Sequence, residues 1–228
     1  MSRVESNIKR EDRDYGDWQQ VFEHYWNIQI TDNPDDLPTP DYSIYPVAIK
    51  HNWDWSDYAS VPLLTDSECD TILAEWDDNP EKTIKEDLNY RKCNINWIHY
   101  YKPGWESIFE KINNAVNKVN KNIFKFDLSN PITQEPIQFT KYTKHGHYDE
   151  HEDWRGGSIQ DARKLSYVIN LSNTKDYRGG HLQIKNTKMP KDRGMIHFFP
   201  SFMRHQATKV LKGTRYSLVG WVTGPPFK

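Results

Sequence analysis

The segment YTKHGHYDEHEDW, residues 142–154, holds three of the chain's nine histidines, His145, His147 and His151, interleaved with Asp149, Glu150, Glu152 and Asp153. In an extended strand residues i and i+2 project from one face, so His151-Glu152-Asp153 sets an imidazole beside a carboxylate, and His147-Tyr148-Asp149 does the same. One such pair plus a second histidine from a distant strand makes a 2-His-1-carboxylate triad, which holds a non-haem Fe(II) and leaves positions open for substrate. The same residue types also make a solvated acidic hairpin, and the same donors suit zinc. The segment MIHFFPSFMRHQATKVLKGTRYSLVGW supplies His205 and then Arg215. With Lys212-Gly213 as a tight hairpin turn, Arg215 stands opposite Val210, about 16 Å along the strand from His205. Arginine keeps its charge and offers a planar fork of donors, so it suits a terminal carboxylate. These residues describe a site that takes a metal at one end and an acid at the other.

Such a site needs a rigid frame, and the chain has the material for one. Its 228 residues, 36% hydrophobic and 14% aromatic, can bury a real core, and no apolar run approaches the roughly 20 residues of a membrane helix. The net charge of -2 gives no global basic field, so neither a nucleic acid nor a membrane is expected as partner. Cys69 and Cys93 form no CxxC pair, and the charged N-terminus MSRVESNIKREDRDYGDW has no apolar signal core, which together point to a cytoplasmic protein.

Trp18, Val21, Phe22 and Tyr25 predict a short amphipathic helix within 13–29, and Pro34, Pro38, Pro40 and Pro46 then enforce an irregular connection. Residues 1–60 read as an extension and 61–228 as the catalytic domain. Thr65 and Glu68 fit a capping box that starts a helix with Cys69, Ile72, Leu73 and Trp76 on one stripe, ending at Asn79-Pro80. A longer helix from Gly104 carries Trp105, Ile108, Phe109, Ile112, Val116 and Val119 on one face. From Ile137 the period becomes two, with Leu165, Tyr167, Ile169 and Leu171 alternating with Ser166, Val168 and Asn170. Helices followed by short strands give an α+β fold whose strands close into a double-stranded β-helix, or jelly roll.

The chain resembles the 2-oxoglutarate- and Fe(II)-dependent oxygenases of the prolyl-4-hydroxylase-like branch. The likeness rests on Y-x5-Y-x2-H-x-D from Tyr142 to Asp153, then LSYVINLSN, YRGGHLQI, FFPSFMRH and KGTRYSLVGW in the family's order, over about residues 137–223. It implies His151, Asp153 and His205 as iron ligands, Arg215 as partner of the 2-oxoglutarate distal carboxylate, and Tyr142 and Ser217 as further hydrogen-bonding partners of that co-substrate. It also implies O2 as oxidant, ascorbate as accessory reductant, and hydroxylation of an unactivated C–H with release of succinate and CO2. Halogenating relatives lack the carboxylate found here as Asp153, so hydroxylation is expected. The substrate implied is a prolyl residue in a peptide or protein, hydroxylated at carbon 4; a free amino acid or other small molecule is the alternative.

Two departures stand out. His145 occupies the place of the family's glycine six residues before the first ligand, and Asn170 stands where an aromatic residue is common. Nucleic-acid demethylases on a similar barrel carry R-x5-R after the last histidine, whereas Trp221 stands six beyond Arg215. A zinc hydrolase and a non-catalytic jelly-roll binding module are the other rivals, and Arg215 with the intact ligand set argues against both. His197 and Trp221 read as core, His181 as a strand-surface residue, and NNAVNKVNKN as the solvated face of the long helix.

Overall fold

The alternation from residue 137 onward builds most of the molecule. A computed structural model describes residues 57–78, 89–129, 135–154 and 162–225; the helix expected within 13–29 lies outside them. The strands are β1 (Ala59–Pro62), β2 (Arg91–Lys92), β3 (Asn94–Ile98), β4 (Ile137–Tyr142), β5 (His147–His151), β6 (Arg163–Asn170), β7 (Tyr177–Gly179), β8 (Leu182–Ile184), β9 (Thr187–Lys188), β10 (Met195–Pro200), β11 (His205–Ala207), β12 (Val210–Gly213) and β13 (Arg215–Thr223). A six-stranded sheet runs β1-β10-β6-β13-β4-β3, and a five-stranded sheet runs β2-β5-β11-β8-β9. All their ladders are antiparallel. The two sheets share a core in which Val168 and Phe199 of the larger meet Leu182 and Ile184 of the smaller. This is the expected jelly roll. β1 straddles the position at which the sequence sets the end of the extension.

The period-two face of β6 that carries Ser166, Val168 and Asn170 is as buried as its apolar face. Polar side chains that point inward across a sheet mark a site, because a core would leave them without water or partners.

Helix α1 (Asp66–Ala74) begins at Thr65 with the full capping box: Thr65 Oγ1 accepts from Glu68 N, and the Glu68 carboxylate accepts from Thr65 N. It ends before Asn79, because the Glu75 N–H turns back to the Ile72 and Leu73 carbonyls and closes the last turn. Trp76 thereby leaves the helix stripe and packs edge-on against Phe139 at 4.9 Å and Tyr216 at 5.4 Å. Helix α2 (Glu106–Val119) buries Ile108, Phe109, Ile112, Val116 and Val119 and is tied to α1 by Lys111–Glu68.

The expected hairpin at Lys212-Gly213 does not form. β12 pairs with β7, Val210 opposite Gly179, while β13 crosses into the larger sheet with Arg215 opposite Tyr142. Gly213 makes the corner at φ 76°, and a Cβ there would stand 1.9 Å from the Asp176 carbonyl oxygen. Only glycine fits such an approach. The crossover moves Arg215 off β12 and into the larger sheet, where it faces the site.

Candidate active site

His151 closes β5 and His205 opens β11, and the two residues are direct partners in the ladder. Their rings lie 4.2 Å apart. Asp153 follows two residues later, held by its N–H on the Ser201 carbonyl at 2.9 Å. Its Oδ1 is 3.6 Å from His151 Nε2 and its Oδ2 3.3 Å from His205 Nε2, and all three side chains are buried. His151 Nδ1 faces the Asp149 carbonyl at 2.7 Å and His205 Nδ1 the Met203 carbonyl at 2.9 Å. A carbonyl only accepts, so each Nδ1 carries a proton, and in the neutral ring Nε2 is then the lone-pair nitrogen turned to the shared centre. The three donor atoms lie within 4.8 Å of one another, a set that could hold one divalent ion.

The neighbours fix these three side chains in place. Ser166 Oγ donates to Asp153 Oδ2 at 2.7 Å and contacts Ser201 Oγ at 3.0 Å. Tyr148 stacks on His151 with centroids 3.6 Å apart, and Phe199 stands 4.5 Å from His205. Burial, reinforced by His205, pushes the His151 pKa down to about 4, so the imidazole is neutral near pH 7. Burial opposes ionisation of Asp153, but His205, His151 and the Ser166 hydroxyl outweigh it and hold the carboxyl below its usual range. A neutral imidazole and an ionised carboxylate are the protonation states a metal needs of such donors.

The rival pair has nearly the same local geometry, with His147 Nε2 3.7 Å from Asp149 Oδ1. Its Nε2 also faces the Asn89 carbonyl at 3.0 Å, Asp149 is exposed, and it is not among the residues that form the cluster. His145, in the glycine's place, adopts a left-handed φ of 67°. Histidine is a residue type that tolerates this backbone region better than most.

Arg215 is 2% exposed and lines the same cavity of about 520 Å³. It makes no ion pair among the described residues. Its Nη2 donates to Asn170 Oδ1 at 3.3 Å, its guanidinium lies 5.4 Å from the Tyr142 ring, and its Nε has no hydrogen-bond partner. Gly180 (φ 58°) makes room for the stem, since a Cβ would come within 3.2 Å of Arg215 Cδ. Ser217 and Thr140 are direct ladder partners one pleat further on, both fully buried with hydroxyls that lack a partner. Burial raises the Tyr142 pKa, so its hydroxyl stays a neutral donor. A buried cation beside unsatisfied hydroxyls is costly unless an anion binds.

Sequence reasoning missed part of the wall. Arg91 donates to Gln138 Oε1 at 2.8 Å and lies 4.3 Å over Tyr148; it sits on a two-residue strand that carries no pattern. Arg163 pairs with Glu135 through Nε at 2.8 Å and stacks 3.7 Å over Trp221. Trp221 is therefore a cavity wall rather than plain core, and its even spacing from Arg215 along β13 was the available signal. His181 precedes β8 and is half-buried rather than a surface strand residue.

His197 is fully buried, with Nδ1 2.7 Å from Ser60 Oγ and Nε2 3.3 Å from Asn170 Nδ2. Burial, then the charge of Arg215, lowers its pKa to about 3. Its folded pKa lies below the unfolded value near 6.5, so only the unfolded chain takes up the proton as pH falls from there. Stability is full above about pH 6.5 and declines below it, by about 2 kcal/mol at pH 5 from this group alone. Urea unfolding at pH 7.5 and 5 should show that loss diminished by the same amount in His197→Gln; an unaltered pH slope would refute it.

The family model of the 2OG-Fe(II) oxygenase superfamily matches residues 137–223. A PKHD-type hydroxylase of Prochlorococcus marinus is 37% identical over 97 residues, 40% of this chain and 43% of that protein. One of Crocosphaera subtropica is 30% identical over 115 residues, 47% of this chain and 51% of that protein. The match thus spans about half the length of these relatives. A Pseudomonas putida prolyl-4-hydroxylase superimposes with a TM-score of 0.59 at 18% identity, over 74% of this chain and 93% of that one. A Trichoplax adhaerens prolyl hydroxylase, solved with a peptide fragment of the hypoxia inducible factor oxygen degradation domain, gives 0.55 at 16%, over 73% and 83%. At these identities the structural likeness is one of fold. No helix among the described residues is long and apolar enough to cross a membrane. Segment 137–223 is thus similar to the 2OG-Fe(II) oxygenase superfamily, and the chain has a prolyl-4-hydroxylase-like fold.

Proposed function

We propose that the chain is an Fe(II)- and 2-oxoglutarate-dependent dioxygenase that hydroxylates carbon 4 of a prolyl residue in an extended peptide. One observation carries the class: a single cavity holds both the His151, Asp153 and His205 cluster and a buried arginine with no acid partner among the described residues. Two imidazole nitrogens and one carboxylate suit a non-haem Fe(II), and the cavity in front of them has room for two small organic molecules. On this reading His151, Asp153 and His205 hold the metal. Arg215 takes the distal carboxylate of 2-oxoglutarate, and Tyr142 and Ser217 hydrogen-bond the same molecule.

Bound there, Fe(II) supplies O2 activation coupled to oxidative decarboxylation of 2-oxoglutarate to succinate and CO2. The protein's share is orientation and dryness. Ser166 fixes the carboxylate, Tyr148 and Phe199 brace the imidazoles, and Val168, Leu182 and Val219 line the cavity with apolar surface. Trp97, Tyr148 and Trp221 give it an aromatic lining suited to a proline ring, and a proline-rich strand loses little entropy on docking. The PKHD-type relatives are named hydroxylases, and the name of the peptide-bound prolyl hydroxylase of like fold supports a prolyl substrate. Residues 1–60 would be an extension to a catalytic domain of residues 61–228.

Anaerobic addition of Fe(II) and 2-oxoglutarate should give the weak visible charge-transfer band of the chelate; no band in the folded protein would sink the class. Peptide libraries incubated with iron, ascorbate and 2-oxoglutarate should then yield a proline-containing product heavier by one oxygen, with matching succinate. Oxygen gained by a free amino acid and by no peptide would remove the peptide substrate and leave the oxygenase.

A further inference from the structure

We propose that Asn170 and His197 are positioning residues that aim the Arg215 guanidinium at the co-substrate through a chain of neutral hydrogen bonds anchored on Ser60 of β1. The inference rests on the reading that Arg215 receives the distal carboxylate of 2-oxoglutarate. The chain's polarity follows from its two fixed ends. A guanidinium only donates, so the Asn170 atom facing Arg215 at 3.3 Å is the amide oxygen. The Pro190 carbonyl only accepts, so the atom facing it at 3.2 Å is the amide nitrogen. Both constraints give one orientation, and the second amide hydrogen then points to His197 Nε2 at 3.3 Å, which must be a lone pair. The His197 proton is left on Nδ1, donated to Ser60 Oγ at 2.7 Å.

Every member of the chain is buried: Ser60 2%, Asn170 3% and His197 0% exposed. Ser60 and His197 are ladder partners, so the anchor is part of the sheet. The arrangement has a chemical point. An acid at position 170 would hold Arg215 just as firmly and cancel its charge, whereas an amide backed by a neutral imidazole fixes the guanidinium and leaves the charge for an incoming carboxylate. The strongly depressed pKa of His197 agrees with an imidazole that stays neutral at any working pH.

The test is the calorimetric dissociation constant of 2-oxoglutarate for the anaerobic Fe(II)-loaded full chain, with the melting temperature measured alongside. His197→Leu removes the acceptor at similar volume and should weaken 2-oxoglutarate about tenfold, the size expected when a bond to a charged group is misaligned, with iron retention unchanged. His197→Gln, whose Oε1 can accept from Asn170, should restore most of the affinity. Asn170→Asp should weaken 2-oxoglutarate at least as much as His197→Leu, by pairing internally with Arg215. If His197→Leu lowers the melting temperature and leaves the dissociation constant unchanged, the residue is packing only and the proposal falls. Arg215→Leu separates the two levels: unchanged affinity in that variant overturns the reading of Arg215 itself, while lost affinity there with none in the His197 and Asn170 variants overturns only the relay.

Discussion

Alanine at Asp153 or at His205 is expected to give a folded chain that no longer retains Fe(II) and forms no succinate, while His147→Ala keeps both within about twofold. Asp153 matters most on charge grounds. Two neutral imidazoles alone offer a divalent ion no anionic donor, and Asp153 faces both Nε2 atoms at 3.3 and 3.6 Å. Loss of a residue that merely supports a metal ligand typically costs 10–100-fold in affinity, so loss of a ligand should exceed about 100-fold, and Ser166→Ala should fall within the lower range. Competition against a coloured chelator under nitrogen measures all of these. His147→Ala losing iron while His151→Ala retains it would move the centre one pleat repeat along β5.

Arg215→Leu is the second large effect: iron should stay bound while the 2-oxoglutarate requirement rises about 30-fold to several-thousand-fold. The range follows from the 2–5 kcal/mol that truncating one partner of a buried, hydrogen-bonded charge pair typically costs. Burial supports the upper half of it, since Arg215 is 2% exposed and the Ser217 and Thr140 hydroxyls of the neighbouring ladder pair are neutral. Arg215→Lys should recover part of the affinity, because it restores the charge without the bidentate fork. Initial rates against 2-oxoglutarate concentration decide it, and an apparent affinity equal to that of the unaltered protein would take Arg215 out of the site.

Local features were legible in the sequence and long-range ones were not. The Thr65–Glu68 capping box is a matter of four residues and stands as read. The HxD spacing brings imidazole and carboxylate together twice, at 3.6 Å for His151 and 3.7 Å for His147, so spacing alone cannot choose between them. The pairing of His205 with His151 across the smaller sheet makes the difference, and a strand's partner is not written in its own period. The Lys212-Gly213 hairpin failed for the same reason: a glycine turn reverses or redirects a chain equally well, and here it hands the strand from one ladder to another. Arg91 and Arg163 carried no pattern at all, since each is placed by its neighbours in space.

The ladder partnership of His151 and His205 also bears on how the site is assembled. In an unfolded chain these histidines are separated by some fifty residues, and closing a loop of that length costs about 4 kcal/mol of chain entropy. The sheet meets that cost when its strands zip, before any ion arrives. On the proposed reading an incoming metal would find its donors already convened and would have no folding to drive, the reverse of a small zinc module in which binding and folding are one event.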